Sequence, residues 1–442
     1  MDVLNGYHKN PLPDGWEWIE LGKLCEKISK TKASEQNRED EFLYLDIGSI
    51  DNAHNKIMGH KTYKWKGAPS RAQQIVQKGD VLFSTVRTYL KNIALIDSSL
   101  YNEQIASSGF TVLRGKKNVL HPRYLFYRAI SNTFLEPLNK LQTGSSYPAV
   151  RDKDVLCQKI PVPCFYEQQQ IVSKIEELFS ELDKSIEQLK IAQQQLKVYR
   201  KSVLKWAFEG KLTSTNVSHT GLELVSIAAE EGALYNMKNA QLPESWKWVK
   251  LGDVISNVEY GSSAKSKKVG KVPVLRMGNI QRGRFSWSDL VYTDDKKEIK
   301  KYVLRKNDVL FNRTNSPELV GKTAIYKGER PAIFAGYLIR INRVEELIDA
   351  DYLNYFLNSD VAKHHGNTVK TDGVNQSNIN GQKLKGYPIP LAPFDEQIQV
   401  VQEIESRLSV ADKLEETITN GLQLAEALRQ SILKKAFEGE IC

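Results

Sequence analysis

The chain states one sequence twice, at a separation too long for anything but whole-module duplication. Leu12-Pro13-Asp14-Gly15-Trp16-Glu17-Trp18-Ile19-Glu20-Leu21-Gly22 returns 230 residues later as Leu242-Pro243-Glu244-Ser245-Trp246-Lys247-Trp248-Val249-Lys250-Leu251-Gly252. Glu167 to Gly210 returns as Glu396 to Gly439, 229 residues on, closing first with Ala207-Phe208-Glu209-Gly210 and then with Ala436-Phe437-Glu438-Gly439. Solenoid repeats run at about 20–50 residues. A period this long means two copies of a complete module, hence a built-in approximate two-fold axis. A target read at two half-sites suits such a chain, and duplex DNA is the commonest one.

A length of 442 residues with 41% hydrophobic content is enough for two or three ordinary cores. No apolar run approaches the roughly 18 residues that a membrane span needs. The start, Met1 to His8, lacks a basic-then-apolar signal pattern, so the expectation is a cytoplasmic protein. Cys25, Cys157, Cys164 and Cys442 are scattered with no Cys-x-x-Cys, which argues for free thiols and against a disulfide framework or a zinc site. The net charge of +9 is unevenly spread. Residues 1–165 carry 23 basic and 17 acidic side chains, and residues 242–394 carry 25 and 16. Residues 395–442 carry 5 and 10. The positive charge sits on the two large segments, where a polyanion partner follows naturally.

Each module divides into a mixed head and a helical tail. The heads hold short β-rich runs: Glu41–Ile47, Asp80–Ser84 and Phe110–Leu113, then Val272–Arg276, Asp308–Asn312 and Ala335–Ile341. Pro122–Asn132 and Ala350–Ser359 predict short helices behind His121-Pro122 and Asp349. The fold class is therefore α+β: two homologous heads with two long antiparallel helices forming a coiled coil. In the first tail, Ile171, Ile175, Leu178, Leu182, Ser185, Leu189, Ala192, Leu196, Tyr199, Val203 and Trp206 keep a heptad seam. The second seam, over Val400, Ile404, Leu408, Ala411, Leu414, Ile418, Ala425, Leu428 and Ile432, is weaker, and Gly421 costs it roughly 1 kcal/mol relative to Ala. The expected boundaries are 1–165 for the first head, 166–212 for the first helix, 213–241 for a polar linker, 242–394 for the second head and 395–442 for the second helix.

Further motifs recur in order. Lys78-Gly79-Asp80-Val81-Leu82 is matched by Lys306-Asn307-Asp308-Val309-Leu310, and Ile160-Pro161-Val162-Pro163 by Tyr387-Pro388-Ile389-Pro390. Glu167-Gln168 and Glu396-Gln397 open the helices, and Ala-Phe-x-Gly ends them. In this ordered double occurrence, covering essentially the whole chain, the sequence resembles the specificity subunit of type I restriction–modification systems. The resemblance implies a non-catalytic subunit of a defence system, with two target-recognition domains each reading one half of a split, asymmetric site in double-stranded DNA. It implies that the helices set the spacer and dock two modification subunits, which use S-adenosylmethionine to methylate adenine N6. Two restriction subunits, with ATP and Mg, would add translocation and cleavage. No cofactor or metal is expected on this chain itself.

The residues agree that catalysis lies elsewhere. No Gly-x-x-x-x-Gly-Lys-Ser/Thr phosphate cradle is present, nor an Asn/Asp-Pro-Pro-Tyr/Phe motif of amino-methyltransferases. Asp294-Asp295-Lys296-Lys297-Glu298 reads as a solvated turn rather than a nuclease set. His364-His365 lacks a helical i, i+4 partner and reads as a surface pair rather than a metal site.

Reading DNA takes Arg or Lys for guanine and Asn or Gln for adenine, with amides, hydroxyls and cations for phosphate. In the first head the candidates are Ser84, Thr85, Arg87 and Lys91, and the loop Gln142, Thr143, Gly144, Ser145, Ser146, Tyr147 through Arg151. In the second they are Tyr260, Ser262, Ser263, Lys265, Lys267 and Lys268, then Asn312 and Arg313, and the loop carrying Lys370, Thr371, Asn375 and Gln376. Gly144 and Gly373 allow close backbone approach. Trp16, Trp18, Trp246 and Trp248 fit core anchors better than base-stackers. Two rivals remain open at this level: a coiled-coil protein scaffold that never touches DNA, and a stand-alone nuclease or methyltransferase.

Overall fold

The motifs that open and close each head are joined by one short ladder. In the computed structural model, which describes residues 11–212 and 242–441, strand Glu17–Glu20 pairs antiparallel with Lys159–Val162. Lys247–Lys250 pairs in the same way with Pro388–Leu391. The prolines sit in two-stranded edges, where a missing N–H costs no ladder bond. The expected linker over 213–241 lies outside the described residues.

The chain divides into two units, residues 1–189 with 420–442 and residues 190–419. Each holds one head, a portion of each long helix and its own apolar core.

In the first unit, a four-stranded sheet orders Lys61–Lys64, Glu41–Leu45, Gln104–Ser107 and Ala72–Val76. A three-stranded antiparallel sheet orders Phe110–Leu113, Val81–Ser84 and Ile93–Leu95. Helices Pro122–Ile130 and Asn132–Leu141 close over it, burying Tyr124, Leu125, Phe134 and Leu138. In the second unit, Ile255–Tyr260, Leu338–Arg343, Val309–Asn312 and Thr323–Ile325 form a four-stranded sheet. Helix Ala350–Asn358 covers it with Tyr352, Leu353 and Phe356. The expected strands and helices are present within a few residues, because each couples a hydrophobic period to a start or stop residue.

The recurring motifs turn out to be joints. Trp16 is buried and its Nε1 donates to Glu167 (2.9 Å), and Trp246 repeats this with Glu396 (2.7 Å). Gln168 Oε1 accepts from His121 N (2.8 Å) while its Nε2 donates to the carbonyls of Val119 and Pro163. Gln397 does the same with Asp349 N, Leu347 O and Ala392 O. Both glutamines are fully buried, so each bond satisfies a group that has no access to water.

The first long helix, Phe165–Phe208, begins in the core of the first unit with Ile171 and Ile175 and ends in that of the second with Val203 and Phe208. The second, Phe394–Glu438, begins with Val400 and Ile404 in the core of the second unit and ends with Ile432 and Phe437 in that of the first. Both stop at a left-handed glycine, Gly210 (φ +72) or Gly439 (φ +77). A Cβ on Gly210 would fall 2.2 Å from Pro243 Cγ, and one on Gly439 would fall 2.2 Å from Pro13 Cγ. The Leu-Pro start of each head thus packs on the Ala-Phe-x-Gly end of a helix, which explains why these motifs occur as a set.

Within the first unit the helices pair antiparallel: Asp183 meets Arg429, and Leu189 faces Gly421. In the second, Arg200 reaches Asp412 (2.6 Å) and Glu415 (2.9 Å). The seam differs in detail from the expected heptads. Ser185 is exposed and Ile186 takes its place; Leu414 and Leu428 are 49% and 47% exposed. Buried positions on the second helix recur every seven residues, at Ile404, Ala411, Ile418, Ala425 and Ile432. The alternate positions hold Leu408 and Leu422 but also Glu415 and Arg429, which form ion pairs. The apolar count therefore found the seven-residue series and missed the charged positions between its members.

Candidate nucleic-acid interface

In the first head the chain leaves strand Val81–Ser84 and runs under a hairpin supplied by residues 142–150. Val150 N donates to Thr85 O (3.0 Å), and Arg87 N to Pro148 O (2.7 Å). Thr143 and Ala149 exchange backbone bonds of 3.0 Å, closing the hairpin around Gly144 at φ +100. Arg87 and Lys91 both have left-handed backbone (φ +49 and +53) and bracket the short turn Thr88–Leu90. For non-glycine residues this conformation costs of order 1 kcal/mol or more and persists only where the surroundings impose it. The Arg87 guanidinium lies over the Tyr147 ring, 5.1 Å from its centroid, and donates through Nη2 to Ser146 O (3.1 Å). Tyr147 itself is 73% exposed at the hairpin tip. Burial lowers the Lys91 ammonium below the usual lysine range, and the nearby Glu426 opposes that shift.

The second head builds the same platform with different side chains. Beyond strand Val309–Asn312, Thr314–Asn315 pairs with Ser377–Asn378, which pairs with Thr371–Asp372. Ile379 N donates to Arg313 O (2.9 Å), the counterpart of the Val150–Thr85 bond. Gly373 N donates to Gln376 O (2.8 Å) across the tip, where Val374 is wholly exposed. The Arg313 guanidinium lies 5.0 Å from the centroid of the Tyr260 ring, and the Tyr260 hydroxyl accepts from Gly381 N (2.9 Å). Lys383 Nζ donates to Thr371 Oγ1 (2.6 Å), and Lys370 Nζ to Pro317 O (3.3 Å).

The structure sorts the sequence candidates. It brings Arg87, Gln142, Thr143, Gly144, Ser145, Ser146 and Tyr147 onto one platform, and Tyr260, Arg313, Lys370, Thr371, Asn375 and Gln376 onto the other. Four candidates are buried: Ser84, Thr85, Ser262 and Asn312. Ser84 Oγ donates to Val86 O (3.1 Å), Thr85 Oγ1 to Gly109 O (3.1 Å), and the Ser262 hydroxyl to the Glu298 carboxylate. They brace the loops, Ser84 and Thr85 beneath the hairpin and Ser262 against the segment from Phe334 to Gly336. Arg151 is exposed, but its Nε and Nη2 both engage Asp154 (3.0 and 2.9 Å) at the start of helix Asp152–Leu156. Ser263, Lys265 and Lys268 are exposed on a separate loop, where Lys267 pairs with Asp294 (3.3 Å). Two exposed aromatics had escaped the sequence reading: Tyr89 on the Arg87–Lys91 turn (52%) and Tyr337, whose carbonyl accepts from Arg313 N (51%). Both lie in apolar or mixed runs that read as core. His365 is half-buried against the Tyr387 ring (4.7 Å between ring centroids), so the histidine pair is not a plain surface pair.

A duplicated α+β head with a long helix after each copy defines a tandem recognition-module chain. The type I restriction modification DNA specificity domain matches it twice, over residues 13–193 and 243–424, and the chain belongs to that family. It is 26% identical over 326 residues to the StySPI type I restriction enzyme specificity subunit of Salmonella potsdam, covering 73% of this chain and 66% of the relative. It is 26% identical to the EcoKI specificity subunit of Escherichia coli strain K12, covering 75% and 68%. The chain thus spans about two thirds of the length of these relatives. Among solved structures, a chain from a study of complex assembly and conformational transition of the type I R-M system aligns with a TM-score of 0.78 at 26% identity, covering 97% of this chain and 99% of that one. The HsdS subunit of Thermoanaerobacter tengcongensis aligns at 0.62, also 26% identical, covering 98% and 99%.

Proposed function

We propose that this chain is the DNA-reading subunit of a type I restriction–modification complex, with each head reading one half of a split site in duplex DNA. The observation that carries this reading is the platform built twice by the same backbone bonds and furnished each time with different side chains. The repeated bonds supply one docking geometry, and the differing side chains supply two different words. On this reading Arg87, Tyr147 and the 142–146 loop face the first half-site, with Arg313, Tyr260 and the 370–376 loop at the second. Lys265 and Lys268 supply phosphate contacts. The long helices dock two modification subunits and hold them at one register, so that a target adenine is flipped into the partner's active site. S-adenosylmethionine belongs to those subunits, and ATP with Mg to two restriction subunits; this chain contributes no catalytic group. The setting is the cytoplasm of a bacterium or archaeon, where the host DNA lies. The boundaries that fit this division of labour are heads at 1–165 and 242–394 and helices at 166–212 and 395–442.

Retention of duplex DNA by the chain with its modification subunits, measured against salt, tests this reading. With 6–10 phosphate contacts, affinity falls about 10³- to 10⁵-fold between 50 and 200 mM salt. Absent or salt-insensitive retention would favour the protein scaffold.

A further inference from the structure

Each head holds one arginine with its guanidinium over a tyrosine ring, at the platform described above. We propose that these two arginines, Arg87 and Arg313, each read a guanine, one in each half-site. The inference rests on the DNA-reading function proposed above and adds the base and the residue that selects it.

The geometry presents a held guanidinium fork at each platform. Arg87 is fixed by ring contact on one face and by its Nη2 bond to Ser146 O, and its backbone is locked at φ +49. Arg313 is held by the Tyr260 ring, which is itself tied to the backbone through Gly381 N. Among the described residues neither guanidinium is paired with a carboxylate, unlike that of Arg151. A planar fork fixed in orientation matches the two acceptors of guanine, O6 and N7, which lie side by side in the major groove. Phosphate takes the same fork but also accepts lysine as a point charge, so exchange for lysine tells the two targets apart. The two arginines are not at equivalent positions of the repeat: Arg87 is matched by Asn315 and Arg313 by Thr85. The guanines therefore fall at different places in the two half-sites.

The test selects from a randomised duplex DNA library with the complex of this chain and its modification subunits, comparing the parent with Arg87→Lys and Arg313→Lys. Lysine keeps the charge and loses the fork. The parent enriches a split motif with a guanine in each half. A bidentate arginine–guanine pair discriminates roughly 5- to 150-fold. In Arg87→Lys that preference falls towards unity at one guanine, with the other half unchanged as an internal check on folding; Arg313→Lys does the converse. Tyr147→Ala, which removes the ring beneath the Arg87 guanidinium, weakens the same guanine as Arg87→Lys. Unchanged letters in Arg87→Lys, or an even loss across all sequences in Arg87→Ala, overturn the assignment and mark a phosphate contact. If the parent itself enriches no split motif, the DNA-reading function falls, and this assignment with it.

Discussion

At the scale of single residues, the repeated motifs mark joints whose partners lie far along the chain. Asp80 in Lys-Gly-Asp-Val-Leu is fully buried and takes two bonds of 2.7 Å from Arg114. Asp308 is held by Arg340 (3.0 Å), which also bonds Glu259. Burial pushes the Asp80 carboxyl upward, while the Arg114 hydrogen bonds and a backbone bond from Gln77 pull it down. Burying such a pair adds little net stability, but breaking it leaves an uncompensated charge. Asp80→Ala is expected to cost about 3–5 kcal/mol, read as the shift in the denaturant unfolding midpoint at constant slope; a change under about 1 kcal/mol contradicts this account. The motif residues were legible in the sequence, and the core role of Trp16 and Trp246 followed from their spacing. The partner Arg114, thirty-four residues away, was not legible, because only the sheet brings it close. The same limit governs the site. Polar loops announce themselves by composition, but the burial of Ser84, Thr85, Ser262 and Asn312 depends on segments from elsewhere in the chain.

At the scale of elements, one small hairpin shows how a head is tied to a helix. In the second unit, Ile280–Gln281 pairs with Arg284–Phe285, and Arg282 between them forms two 2.9 Å bonds with Glu415 of the second long helix. Arg284 spans Asp351 and Glu405, both at 3.3 Å. In the first unit the matching helix residue is Arg123, which bonds Glu176 of the first long helix directly (2.6 Å). The polarity of the joint is exchanged between units while its place is kept. The Arg282 hydrogen bond holds the Glu415 carboxyl below its ordinary value of 4.5. For a lowered carboxylate, the stabilisation is fully present above the unfolded value and is lost as pH falls through the folded one. The melting-temperature difference between the parent and Arg282→Gln should therefore hold at pH 6 and shrink below about pH 4.5. A difference that is constant down to pH 3 would remove Glu415 from the joint. The long helices were legible from apolar periodicity, whereas this joint was not: Arg282 and Glu415 are 133 residues apart.

At the scale of the whole molecule, duplication is the organising fact, and it was readable because motif pairs recur in one order at offsets of 227 to 230 residues over the full chain. The two copies share backbone joints and differ in the side chains on their platforms, as expected of one reading device used for two words. Removing seven residues from each long helix, two turns on matching heptads, is expected to change the accepted spacing between half-sites and to leave the letters of both unchanged. Altered letters in that variant would contradict the ruler role. The most direct measurement of the central claim is long-read methylation mapping of cells with and without the gene for this chain. The account predicts a split N6-methyladenine motif that is present with the gene and absent without it. A methylation pattern identical in the two, in cells that express the modification subunit, would contradict it.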